Sequence, residues 1–174
     1  MTTRLHPSRL HALPQRVRRP AFDRRALRTG IVHLGLGAFA RAHLAAVNDD
    51  ALEAGAAAEW GIHGVSLRHA DVRDALLPQQ GLYSLRLSDA AGTQTRIVGS
   101  VVSCAVAPED PQAVVSAIAH ADTRIVSLTV TEKGYCHDPA TRALNVAHPD
   151  IAPDLPDARA PRSARGLLGR GLQA

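Results

Sequence analysis

Residues 30–43 read GIVHLGLGAFARAH. A short apolar run, Ile31-Val32-His33-Leu34, passes directly into Gly35-Leu36-Gly37-Ala38-Phe39-Ala40, and an alanine-rich helical pattern follows without a break. Strand, glycine turn, helix is the order in which dinucleotide-binding folds hold a pyrophosphate. Gly35 permits the tight turn, and Gly37 removes the Cβ that would keep backbone and phosphate apart. Leu36, Ala38 and Phe39 complete the loop, with the Phe39 ring expected to pack in the core. Ala40 stands where a third small residue lets helix and strand pack closely. The N–H groups opening the helix then face the anion.

Outward from this loop, the periodicity predicts strands and helices in alternation. Asp23 caps a short helix through Leu27, the first strand covers 31–34, and one helix runs from 38 to 53 with Phe39, Leu44, Val47 and Leu52 on its buried face. A second, largely apolar strand spans 61–67. Asp71 is placed as N-cap of a short helix to Leu77. Residues 82–87 and 94–106 read as an antiparallel pair joined around Asp89-Ala90-Ala91-Gly92. Asp110-Pro111 opens a helix with Val114, Val115 and Ile118 inward. Residues 124–130, RIVSLTV, form the next buried strand, and 163–172 a last helix. Alternation of this kind assembles as an α/β fold with a mainly parallel sheet and a β-hairpin insertion. In such sheets ligands bind at the carboxyl ends of the strands, where the loops 35–40 and 131–135 both leave.

Composition narrows the function classes. At 174 residues the chain accommodates one domain with a real core. No apolar run approaches the roughly 18 residues of a membrane span, and the arginine- and proline-containing start does not read as a signal peptide. The net charge of +4 is misleading: residues 1–30 hold eight arginines against Asp23 alone, so the remainder is slightly acidic. The excess sits in a basic, Pro-punctuated arm over residues 1–20, ahead of a domain over 21–174. Without aromatic interleaving or a recognition motif, no nucleic acid is expected as a partner. Cys104 and Cys136 are read as reduced thiols of a cytoplasmic protein, and no histidine pair has zinc-ligand spacing.

The longer strings carry more than the glycines do. GIVHLGLGAFARAH resembles the GxGxFxRxH motif of the polyol-specific long-chain dehydrogenases, the mannitol dehydrogenase and fructuronate reductase (D-mannonate oxidoreductase) family. WGIHGVSLRHADVRDAL over 60–76, GLYSL over 81–85, VSLTVTEKGY over 126–135, and the segments His148-Pro149-Asp150 and Pro161-Arg162-Ser163 are similar to later parts of it, in the same order. Two positions depart: the family usually has His where Ala40 stands and commonly Gln where Leu44 stands.

The resemblance implies a Rossmann-like, doubly wound NAD(P)-binding domain, followed in the family by a helical substrate domain that supplies the lysine base. Members interconvert a sugar alcohol or aldonate and its keto sugar by hydride transfer, without a metal. The one lysine here, Lys133, lies in the TEKGY segment and is not assigned as that base. The chain is therefore expected to bind a dinucleotide without turnover, a polyol or keto sugar entering only if a second domain is supplied. A nucleotide-binding remnant without a substrate is the alternative, and a methyltransferase a distant third. Arg41 is read as a phosphate contact, a brace of the cofactor loop or an exposed arginine; His43 as a loop-orienting residue or a hydrogen-bonded core histidine. Thr131, Glu132 and Lys133 belong to the site edge, with Glu132 near the nicotinamide ribose or bonded to loop backbone. Asp71 is either the ribose-binding acid or a cap, and Arg68 either a 2′-phosphate ligand or a solvated side chain. The cofactor is read as NAD, with NADP not excluded.

Overall fold

The computed structural model describes residues 4–90, 92–129, 136–138, 140–155, 161 and 163–174. Its main sheet has four parallel strands, β2 (Thr29–Leu34), β3 (Gly61–Ser66), β6 (Val101–Val106) and β7 (Ile125–Leu128), in the order β6-β3-β2-β7. The chain first moves one way from β2 and then returns to add β7 on its other side. That reversal beside β2 opens a crevice at the carboxyl ends of the strands. Strands β2 and β3 are buried almost throughout, which is why they read as apolar runs with little alternation.

Successive side chains of β2 feed opposite faces. Ile31 joins Ile62, Ala45, Ala46 and Val101 on the side covered by α2 (Leu44–Glu53). Val32 and Leu34 join Val65, Val114, Val115, Ile118 and Leu167 on the side covered by α4 (Pro111–Ala119) and α5 (Ala164–Gly171). The fold is thus doubly wound, as expected. Val32, Leu34 and Val65 are fully enclosed, each stabilising the core by about 1.5–3 kcal/mol. Asp110 caps α4 through Ala113 N–H at 2.8 Å with Pro111 in the first turn, and Ser163 caps α5.

Several local expectations are corrected. The helix from 38 to 53 is two helices, α1 (Ala38–Ala42) and α2, parted at His43, whose φ of −114° and ψ of −73° break the helical path. The buried face of α2 is Ala45, Ala46, Asp49 and Leu52, while Val47 is exposed. Small residues let α2 lie close on the sheet, and Asp49 turns inward to meet Arg96. Residues 94–106 are also two strands. β5 (Gly92–Val98) pairs antiparallel with β4 (Tyr83–Asp89) in a separate sheet, and after Gly99-Ser100 the chain enters the main sheet as β6. Buried bonds hold that crossing: Gly99 N–H donates to Asp49 Oδ1 at 2.7 Å and Ser100 Oγ to Ala45 O at 2.7 Å. Strand β7 is the outer strand of its sheet among the described residues, so Ile125 and Leu128 are exposed rather than buried on both faces. The helix after β3, α3 (Asp71–Leu76), starts at Asp71 with Ala70 as its cap and stops before Pro78.

The Pro-punctuated segment is docked on the domain. Residues Pro7–Ala12 form a 3-10 helix, and β1 (Val17–Arg18) pairs parallel with β5 through Val17↔Thr95 and Arg18↔Arg96. Arg18 reaches Asp50 at 2.6 Å and Glu53 at 2.5 Å.

Candidate functional site

A cleft of about 740 Å³ opens at the carboxyl ends of β2 and β3. Its floor is the glycine loop. Gly35 takes φ +101°, a conformation that favours glycine, and a Cβ there would stand 3.2 Å from Thr129 O. The N–H groups of Gly35 and Leu36 both donate to Val65 O, at 2.8 and 3.1 Å, so the loop is stitched to the end of β3. The Leu36 side chain is buried over Gly64, where a Cβ would collide with it.

Gly37 has a different reason to be glycine. Its φ is an ordinary −77°, and among the described residues a Cβ would meet only Gly35 O at 3.8 Å. Packing among the described residues therefore does not demand a glycine at this position. It caps α1 with no side-chain hydrogen bond, and Gly37, Ala38 and Phe39 all border the cleft. First-turn N–H groups have no acceptor within their own helix. An anion with open approach to backbone is what this arrangement accommodates. Ala40 is buried, as expected of a small residue between helix and sheet.

Arg41 is a brace: its Nη1 donates to Leu36 O at 2.8 Å. Tyr83 OH donates in turn to Arg41 O at 2.6 Å, tying the hairpin to the loop. Burial holds the Tyr83 phenol well above its ordinary range, so it remains a donor. His43 is exposed, with its ring 4.5 Å from that of Phe39. The core-histidine reading is thereby overturned. Phe39 is itself 65% exposed and lines the cleft instead of packing in the core. The short α1 ends before it can turn that face onto the sheet.

The second wall is the turn after β3, with Arg68, His69 and Asp71 along it. Asp71 is exposed and does not cap α3. Arg68 Nη2 donates to Asp150 Oδ2 at 3.3 Å. Opposite, Thr129 borders the cleft at the end of β7; Thr131, Glu132 and Lys133 lie outside the described residues.

A family model, the mannitol dehydrogenase Rossmann domain, matches residues 29–174. The chain belongs to the mannitol dehydrogenase family. It is 43% identical over 169 residues to a mannitol 2-dehydrogenase of Pyrenophora tritici-repentis, covering 96% of this chain and 30% of that protein. A mannitol dehydrogenase of Saccharomyces cerevisiae is 42% identical over 155 residues, covering 88% of this chain and 31% of the relative. Among solved structures, Pseudomonas fluorescens mannitol 2-dehydrogenase in a ternary complex with NAD and D-mannitol superposes with a TM-score of 0.92 at 35% identity, covering 98% of this chain and 35% of that one. A substrate-free D-sorbitol dehydrogenase gives 0.89 at 31%, covering 98% and 36%. The chain thus spans about a third of the length of these relatives.

Within this family domain, the structure adds residues that motif reading missed. Cys136, Asp150, Ile151 and Arg165 reach the cleft from the far end of the chain. HPD was legible as a family segment, but nothing local said that it folds back beside β3. Among the described residues, Cys136, His148 and Asp150 bring potential metal-ligand atoms within 4.8 Å of one another. Their donors have competing bonds: Asp150 N–H donates to His148 Nδ1 at 3.1 Å, and Arg68 holds the Asp150 carboxylate.

A buried histidine supports the cleft from below. His33 Nδ1 lies 2.9 Å from Ser127 Oγ and Nε2 2.7 Å from Thr129 Oγ1, joining β2 to β7 at the switch point. Burial lowers its pKa, which favours the neutral ring. A neutral imidazole donates through one nitrogen and accepts through the other, and a hydroxyl suits either role.

Proposed function

We propose that the cleft binds NAD, and that the chain is the cofactor domain of an oxidoreductase interconverting a sugar alcohol or aldonate and its keto sugar, of the mannitol/fructose or mannonate/fructuronate type. The observation that carries this is Gly37. It is a glycine that neither its φ nor its packing among the described residues requires, placed at a helix start over the cleft. Bound there, the cofactor would supply the hydride acceptor or donor. The backbone of residues 35–39 would hold its pyrophosphate, Arg41 would keep that loop in shape, and the turn carrying Arg68 and Asp71 would meet the adenosine ribose. The NAD named with the Pseudomonas fluorescens relative supports the choice of cofactor.

We also propose that this 174-residue polypeptide, tested by itself, binds nucleotide without turnover; it spans about a third of the length of the relatives it matches. The reading places the domain in the cytoplasm, in keeping with a sequence that holds two cysteines without disulfide-scaffold spacing. Titration with NADH, followed by nucleotide fluorescence and thermal shift, tests the binding. Saturable fluorescence enhancement with a raised melting temperature is expected, together with no mannitol-dependent NADH formation. Absence of any response to NADH overturns the binding, and steady mannitol oxidation by this chain overturns the restriction to binding.

A further inference from the structure

The turn after β3 brings opposite charges to one wall of the cleft: the Asp71 carboxylate and the Arg68 guanidinium. In dinucleotide folds the end of the second strand decides between a ribose 2′-hydroxyl, which an acid accepts, and a 2′-phosphate, which an arginine holds. Arg68 does not stand alone there. Asp150, 82 residues later, accepts from its Nη2 at 3.3 Å.

Asp150 is set in place by its own backbone. Its N–H donates to His148 Nδ1 at 3.1 Å, Ile151 N–H donates to His148 O at 2.8 Å, and the Ile151 side chain is buried as an anchor. The pair itself is open to water, with the Arg68 side chain 74% and that of Asp150 47% exposed. A 2′-phosphate arriving at this wall must take Arg68 from Asp150 and lie beside a second carboxylate. A 2′-hydroxyl meets neither demand.

We propose that Asp150 is a specificity-determining residue that favours NAD over NADP by occupying Arg68. The inference rests on the dinucleotide reading above. Dissociation constants for NADH and NADPH, measured by fluorescence on the whole chain, test it in the parent, Asp150→Asn, Arg68→Gln and the double variant. An exposed ion pair is worth up to about fivefold in binding, so Asp150→Asn should tighten NADPH about three- to fivefold and change NADH less than twofold. Adding Arg68→Gln should return NADPH to the parental value. An unchanged NADPH/NADH ratio in Asp150→Asn, with NADH still bound, overturns the inference and leaves the dinucleotide reading standing. A gain that persists without Arg68 also overturns it, because charge removal alone would then account for the effect. A parent chain that binds neither nucleotide overturns both. Melting temperatures within about 2 °C of the parent, expected for exposed side chains, confirm that the variants are folded.

Discussion

At the scale of single residues, the two loop glycines separate cleanly. Gly35→Ala places a Cβ at φ +101° and 3.2 Å from a carbonyl oxygen, so it should cost about 1–3 kcal/mol of stability. Gly37→Ala has room and an ordinary φ. It should melt within about 2 °C of the parent yet lose NADH affinity by tenfold or more, about 1.4 kcal/mol. Melting curves and NADH titrations on both variants check this, and equal losses of affinity and stability at Gly37 would sink it. His33 yields a pH prediction. Its folded pKa is lowered by burial below the ordinary 6.5, so the unfolded chain binds more protons once the pH falls under that value. Stability is therefore fully present above pH 6.5 and is lost as the pH drops toward the folded pKa. Urea unfolding at pH 7.5 and pH 5 should show the loss, and His33→Gln should make it smaller. Part will remain, since burial also lowers the pKa of His63.

At the scale of elements, the hairpin and α2 are joined by Arg96, which pairs with buried Asp49 and half-exposed Asp50. Arg96 Nη2 stands 3.0 Å from Asp49 Oδ2 and Nη1 2.9 Å from Asp50 Oδ1, with Asp49 fully enclosed. Removing Arg96 leaves the Asp49 carboxylate buried with the Gly99 N–H in place of a countercharge. Arg96→Met should therefore lower unfolding free energy by about 3 kcal/mol. Arg18→Met, which takes a half-exposed partner from Asp50 and from the largely buried Glu53, should cost less, about 1 kcal/mol. Denaturant titrations of the two variants decide it, and similar losses would show that burial of the Arg96 pair matters less than its count of bonds. This link also explains a misread helix. Val47 has the apolar character of a core face, but α2 is oriented by Asp49 and by small residues against the sheet. Hydrophobicity along the helix carries no trace of an arginine arriving from another sheet.

At the scale of the whole molecule, the N-terminal segment belongs to the folded body. Leu5 N–H donates to Gln79 Oε1 at 3.0 Å, β1 extends the small sheet, and Arg18 pairs with Asp50 and Glu53 of α2. Deleting residues 1–20 should lower the melting temperature by about 5 °C, corresponding to one or two kcal/mol for a chain of this size. An unchanged melting temperature would return these residues to the status of an independent arm. Much of the fold is legible locally. The glycine loop, the buried strands β2 and β3, the Asp110-Pro111 helix start and the hairpin each have a short-range signature, because turn chemistry, capping and apolar runs act within a few residues. Three local features follow from those signatures: the turn at Gly35, the packing of Ala40 and a cleft at the strand ends. Local chemistry along the chain thus carries the alternating fold, the family and the glycine turn at the strand ends. Tertiary structure alone decided that β5 and β6 part into different sheets, that β1 docks on β5, that Phe39 faces the cleft, and that Asp150 reaches Arg68. Each of these depends on partners tens of residues apart, and no local period or motif encodes which distant group a side chain will meet.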